Sequence, residues 1–145
     1  MATVKGVNRT VADAVTSTHT LAPGLFGGNV KVMVDTYEAA AISSGTVIEM
    51  GGELPTGARV LAVMLSCDAC GGSVTFSVGD AESATRYMSA EDGSSAATFW
   101  TDLVDGVEYE IDMTTASTPD NQLLITTGGA SATGTIKLVV FYTHE

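Results

Sequence analysis

Basic residues are scarce in this chain: six Lys and Arg stand against seventeen Asp and Glu, a net charge of −11 at pH 7. A field of that sign repels nucleic acid and anionic membrane, which excludes binding to either through the bulk of the surface. Charged residues of both signs are only 16% of the chain against 45% hydrophobic, which excludes a disordered acidic tail. Long apolar runs are also missing. No window approaches the 18 or more residues of a membrane span, and the stretch after Lys5 and Arg9 is broken by Asp13, Thr and His19, so it is no signal peptide. The expectation is a soluble chain made in a cytoplasm. At 145 residues it is sized for one domain with a core that needs no staples.

The few positive charges are unevenly placed. Residues 1–31 hold Lys5, Arg9 and Lys31 against Asp13 alone, a net +2, so the remaining 114 residues carry −13. A mildly basic leading segment therefore precedes a strongly acidic body, and such ends favour docking onto an acidic neighbour.

What is present is strand-like almost everywhere. Asn29 to Glu38 alternates, with Val30, Val32 and Val34 assigned to one face. Arg59 to Cys67 is nearly continuously apolar, as in a strand covered on both sides. Ser73 to Val78 and Val107 to Met113 alternate cleanly, and further runs lie at 46–50, 85–88, 97–103, 122–127 and 135–143. Turn signals such as Gly51-Gly52, Pro55-Thr56-Gly57, Asp92-Gly93 and Gly128-Gly129 separate them. The pattern predicts an all-β, jelly-roll-like antiparallel β-sandwich of about eight strands over residues 29–145, built as two four-stranded sheets. The predicted core is Val32, Val34, Val47, Leu61, Val63, Leu65, Val74, Phe76, Phe99, Tyr109, Ile111, Leu124, Ile136, Leu138, Val140 and Tyr142, or their register alternates.

Residues 1–28 read differently. Val4, Val7, Val11 and Val15 sit at helical spacing, but β-branched anchors with Thr and Asn between them disfavour a stable helix. The segment is read as an extended arm closed by Pro23-Gly24 and Gly27-Gly28, gaining order from a neighbour. Its candidate contact residues are Val4, Lys5, Val7, Arg9 and Val11, with Phe26 as an apolar anchor at the exit.

No constellation carries chemistry. Cys67 and Cys70 form a CxxC, but the pair ends a strand and runs into Gly71-Gly72 instead of opening a helix, and no second CxxC completes a zinc site. Two reduced thiols are the favoured reading, ahead of a local disulfide or a metal site. Glu108, Glu110 and Asp112 share one strand face, which is read as solvated rather than catalytic, and no loop has calcium-ligand spacing. His19 and His144 lie at opposite chain ends, and no GxSxG, Walker loop, HExxH or post-strand GxGxxG occurs. Trp100 is read as a core or interface residue, and Arg59 and Arg86 as partners of nearby acids. No catalytic, cofactor or metal residues are assigned, and the chain is read as no enzyme.

Several stretches together carry a resemblance: the basic MATVKGVNRT start, Val32-Met33-Val34-Asp35-Thr36-Tyr37-Glu38, Leu54-Pro55-Thr56-Gly57-Ala58-Arg59-Val60, Val78-Gly79-Asp80 and Arg86-Tyr87. The series resembles the capsid cement, or decoration, proteins of tailed bacteriophages, among them that of a Bordetella phage. The resemblance implies a non-enzymatic jelly-roll-like body that forms homodimers or homotrimers on the outer capsid surface and clamps neighbouring major capsid proteins. It transfers no functional residue at motif strength. The alternative from the residues themselves is a carbohydrate- or receptor-binding module of a phage tail or bacterial surface, using Trp100 and the acidic strand face.

Overall fold

The computed structural model describes residues 29–101, 109–111 and 120–144. The proposed arm at 1–28, with all six of its contact residues, lies outside them, as do Glu108, Asp112 and His19. The described residues form nine strands and no helix: β1 (Val30–Ile42), β2 (Val47–Met50), β3 (Arg59–Cys67), β4 (Thr75–Gly79), β5 (Met88–Asp92), β6 (Ala97–Trp100), β7 (Tyr109–Glu110), β8 (Leu123–Gly128) and β9 (Ala132–Thr143).

They build two antiparallel sheets. One has the order β1, β9, β3, β6, with β7 continuing the β6 edge of β3; the other runs β2, β8, β4, β5. The chain crosses between sheets at nearly every connection, and β1 pairs with β9, β2 with β8, β3 with β6 and β4 with β5. That nesting is one long hairpin rolled upon itself, the path of a jelly roll.

The inner faces meet in an apolar core. Val63 and Leu65 of β3 and Ile136, Leu138 and Val140 of β9 face Phe76 and Val78 of β4 and Leu123 and Ile125 of β8, all buried. Ile48 and Met50 of β2 close one side, and Met88 of β5 the other. Residues this well enclosed contribute roughly 1.5–3 kcal/mol each by leaving water.

Register is corrected in four strands. In β1 the inward residues are Met33, Tyr37 and Ala39, whereas Val32 and Val34 face out. The cause lies in β9. Ile136, Leu138 and Val140 claim the inner face, and pairing sets Met33 against Val140 and Tyr37 against Ile136, so all four must share it. Asp35, which falls on the same side, turns its carboxylate to the Gly51 and Thr36 N–H groups, each 2.7 Å away. In β3, Val60 is buried in place of Leu61, because the ladder to β9 skips Leu61 as a bulge between Val60 and Ala62. The extra residue flips the alternation, so Val60 and Val63 both point inward. In β2 and β8 the buried residues are Ile48, Leu123 and Ile125, one position away from the predicted Val47 and Leu124.

Candidate interaction face

Four of the five large hydrophobic residues exposed among the described residues lie on the outer side of the β1, β9, β3, β6 sheet: Val30 (57%), Val32 (53%), Val34 (63%) and Trp100 (58%). Strand register arranges them in rows. Val34, Val139, Met64 and Trp100 form one row across all four strands; Val32, Phe141 and Ala62 form the next; Thr36, Lys137, Ser66 and Thr98 form a third. Across these rows the only charge is Lys137. In a chain of −11 that is a marked depletion of acid, and three rows by four strands cover on the order of 400 Å². Two of the three rows are apolar and the third is hydroxyls and Lys137, a mixed acid-poor face of the kind that marks an interaction site.

Trp100 is held in place. Its ring stacks on Phe141 with centroids 6.0 Å apart and planes 14° from parallel, across the intervening strand β3. Thr101 anchors the strand end beneath it: its N–H donates to the Val63 carbonyl at 2.9 Å, and its hydroxyl accepts from Val63 N–H at 2.7 Å. The indole therefore presents a fixed apolar plate.

The rim is polar. At one end Arg59 pairs with Glu110 across β3 and β7. At the other, Glu38 accepts from the Thr135 hydroxyl at 2.8 Å, and Asp68 accepts from Thr135 N–H at 3.0 Å. That backbone donor, followed by the Thr135 hydroxyl, holds the Asp68 carboxyl below its ordinary value. The opposite sheet differs: its outer rows, Val47 with Thr126 and Ser77, and Glu49 with Leu124, mix hydroxyls and a carboxylate among the apolar groups.

Among the described residues, those singled out for chemistry are not assembled into a site. Cys67 and Cys70 are free, buried thiols, and burial pushes both upward, Cys70 to about 11. A thiol that keeps its proton is a poor nucleophile and a poor metal ligand. Among the described residues no three His, Cys, Asp or Glu side chains gather to hold a metal ion. Both body arginines pair with acids as predicted, Arg59 with Glu110 and Arg86 with Asp80 and Glu82. Asp80, quoted above without a role, and Asp120 are buried acids among the described residues. Asp80 has a structural task. It caps the Glu82 and Ser83 N–H groups at 2.9 and 2.7 Å while pairing with Arg86, which pins the β4–β5 loop. The signal for it was the Asp80 to Arg86 spacing beyond a strand end.

No protein-family model and no curated protein matches the sequence. Solved structures do. A chain of the cyanophage Pam1 capsid asymmetric unit is 28% identical with a TM-score of 0.72, over 92% of this chain and 99% of that one. The structural neighbours are phage capsid chains. Two more share the fold: one in the capsid of Ralstonia phage GP4, at 16% identity and TM-score 0.60 over 81% and 86% of the two chains, and one in the acid-stable capsid of Helicobacter pylori bacteriophage KHP30, at 15% and 0.56 over 79% and 87%. The Pam1 likeness supports a phage capsid-related protein, and all three chains share the β-sandwich fold.

Proposed function

We propose that this chain is a non-enzymatic capsid cement protein of a tailed phage, of the kind represented by the Bordetella phage cement protein. It sits on the outer surface of the virion head as a homo-oligomer and clamps neighbouring major capsid proteins. The observation that carries the reading is the likeness to a chain of the Pam1 capsid asymmetric unit, which spans nearly the whole length of both proteins. The acid-poor outer face with its fixed indole supplies the docking surface. A standard protein interface takes about 800 Å² from each partner, so a patch on the order of 400 Å² binds weakly by itself. The leading segment, through Val4, Lys5, Val7, Arg9, Val11 and Phe26, provides the second contact, and two linked weak contacts multiply into firm attachment.

A glycan-binding role draws on Trp100 as a stacking platform. Its ladder neighbours Met64 and Val139 and its stacking partner Phe141 offer no carboxylate or amide to hydrogen-bond sugar hydroxyls, so the face favours a protein partner. The test is co-sedimentation of the full chain with phage heads stripped of it. Saturable binding, lost on deletion of residues 1–22 from a variant that keeps its β-sheet spectrum, supports the reading. Failure of the full chain to bind heads overturns it.

A further inference from the structure

We propose that two copies of this chain pair edge to edge through β1, antiparallel about a twofold axis at Met33. The inference deepens the homo-oligomer part of the capsid reading and rests on it for its purpose, while its geometry is argued independently.

The N–H of Thr135 goes to Asp68, on the β3 side of β9, and Thr36 N–H goes to its neighbour Asp35. Thr135 stands opposite Glu38, so the even-numbered residues of β1 are the non-hydrogen-bonded members of the β1–β9 ladder. The main-chain groups of Val30, Val32 and Val34 therefore point away from the sheet. Among the described residues no strand meets them. A long apolar edge of this kind is a template for another strand.

The sequence along that edge is self-complementary. With Met33 opposite Met33 of the second copy, Lys31 faces Asp35 of the second copy and Asp35 faces its Lys31, while Val32 faces Val34 and Val34 faces Val32. Other twofold registers that keep the outward N–H and C=O groups opposed do not bring the two unlike charges together. Asp35 keeps lone pairs free for this contact beyond its bonds to Gly51 and Thr36. The segment Val30 to Thr36 is also charge-neutral, so two molecules of −11 meet where their repulsion is least. Pairing places the outer faces side by side and doubles that acid-poor face to on the order of 800 Å², the amount a standard interface requires.

The test uses the full chain in sedimentation equilibrium at about 100 μM, well above a micromolar dissociation constant. The wild type should sediment at twice 14.8 kDa. Val34→Pro removes only an outward-pointing donor and leaves the β9 ladder intact, so it should sediment at 14.8 kDa with an unchanged β-sheet spectrum. Lys31→Glu, at an exposed position, should raise the dimer dissociation constant at least about tenfold, and it carries the test should Val34→Pro fail to fold. A monomeric or trimeric wild type, or a folded Val34→Pro that dimerises as the wild type does, overturns the proposal. A chain that dimerises but ignores phage heads sinks the capsid reading and leaves this one; a monomer that binds heads does the reverse.

Discussion

Trp100 and Phe141 stack across β3 on the outside of the sandwich, with 6.0 Å between ring centroids, although neither ring is needed to fill the core between the sheets. An aromatic pair fixed on an acid-poor face loses little side-chain entropy on docking, which is the usual property of an interface hot spot. Trp100 is the chain's one tryptophan, so its fluorescence reports this face alone. Emission from the free protein should resemble solvated indole and shift to shorter wavelength when phage heads are added. An emission that stays in place while the protein binds would move the contact elsewhere.

Asp80 should be the most sensitive charged position for stability. Its carboxylate is buried, pairs with Arg86 and caps two backbone donors of the β4–β5 loop. Asp80→Ala leaves those donors and the guanidinium without it, at a cost of about 3 kcal/mol in urea unfolding. By comparison Glu49→Ala, on an exposed strand position, should change stability by less than about 0.5 kcal/mol.

Two glycines separate conformational strain from steric exclusion. Gly45 and Gly129 both have positive φ, +85° and +74°. A β-carbon at Gly45 meets open space, whereas one at Gly129 overlaps the Ser73 carbonyl oxygen. Gly45→Ala should therefore cost about 1 kcal/mol, the left-handed penalty alone. Gly129→Ala should cost about 2–4 kcal/mol, because the Ser73 turn must also move. Equal losses in thermal unfolding would contradict this packing.

The thiols give stability an alkaline limit. Burial raises Cys70 from its ordinary 9.0 to about 11, and raises Cys67 in the same direction. Above pH 9 the unfolded chain releases the Cys70 proton while the native state retains it. Stability from this source is full below 9 and falls as pH rises toward 11. The comparison is with Cys70→Ala, whose stability should decline less steeply between pH 9 and 11. Parallel curves would contradict the assignment. Native wild type should also react slowly with a disulfide reagent at pH 7.5 and rapidly once unfolded.

Much of the architecture was legible because β-periodicity and turn chemistry agree along the chain. Arg59 to Cys67 was bounded correctly because a continuously apolar run with glycine-rich flanks has few alternatives. Which face of β1 turns inward was not legible, because Met33 and Tyr37 alternate with Val32 and Val34, and both sets are apolar. The choice is made by Ile136, Leu138 and Val140 of β9, more than ninety positions away in sequence, and a local pattern holds no trace of that pairing. The Leu61 bulge is hidden for the same reason: it exists only relative to a partner strand. The interaction face is consequently not legible in the sequence except for Trp100, since the local pattern of Val32 and Val34 reads as core. An apolar strand with apolar residues at both parities, in a chain otherwise rich in acid, was the available signal for an exposed apolar face.

The central claim is that the outer face of the β1, β9, β3, β6 sheet meets the capsid shell, and Trp100→Lys tests it most directly. The position is exposed and lies three strands from β1, so the substitution spares the core and the β1 edge. Titrated against phage heads stripped of this protein, the variant should keep the wild-type unfolding temperature within a few degrees. It should bind at least about 30-fold more weakly, as expected for loss of a central aromatic anchor. Binding of Trp100→Lys at wild-type affinity would show that this face is not the one that meets the shell.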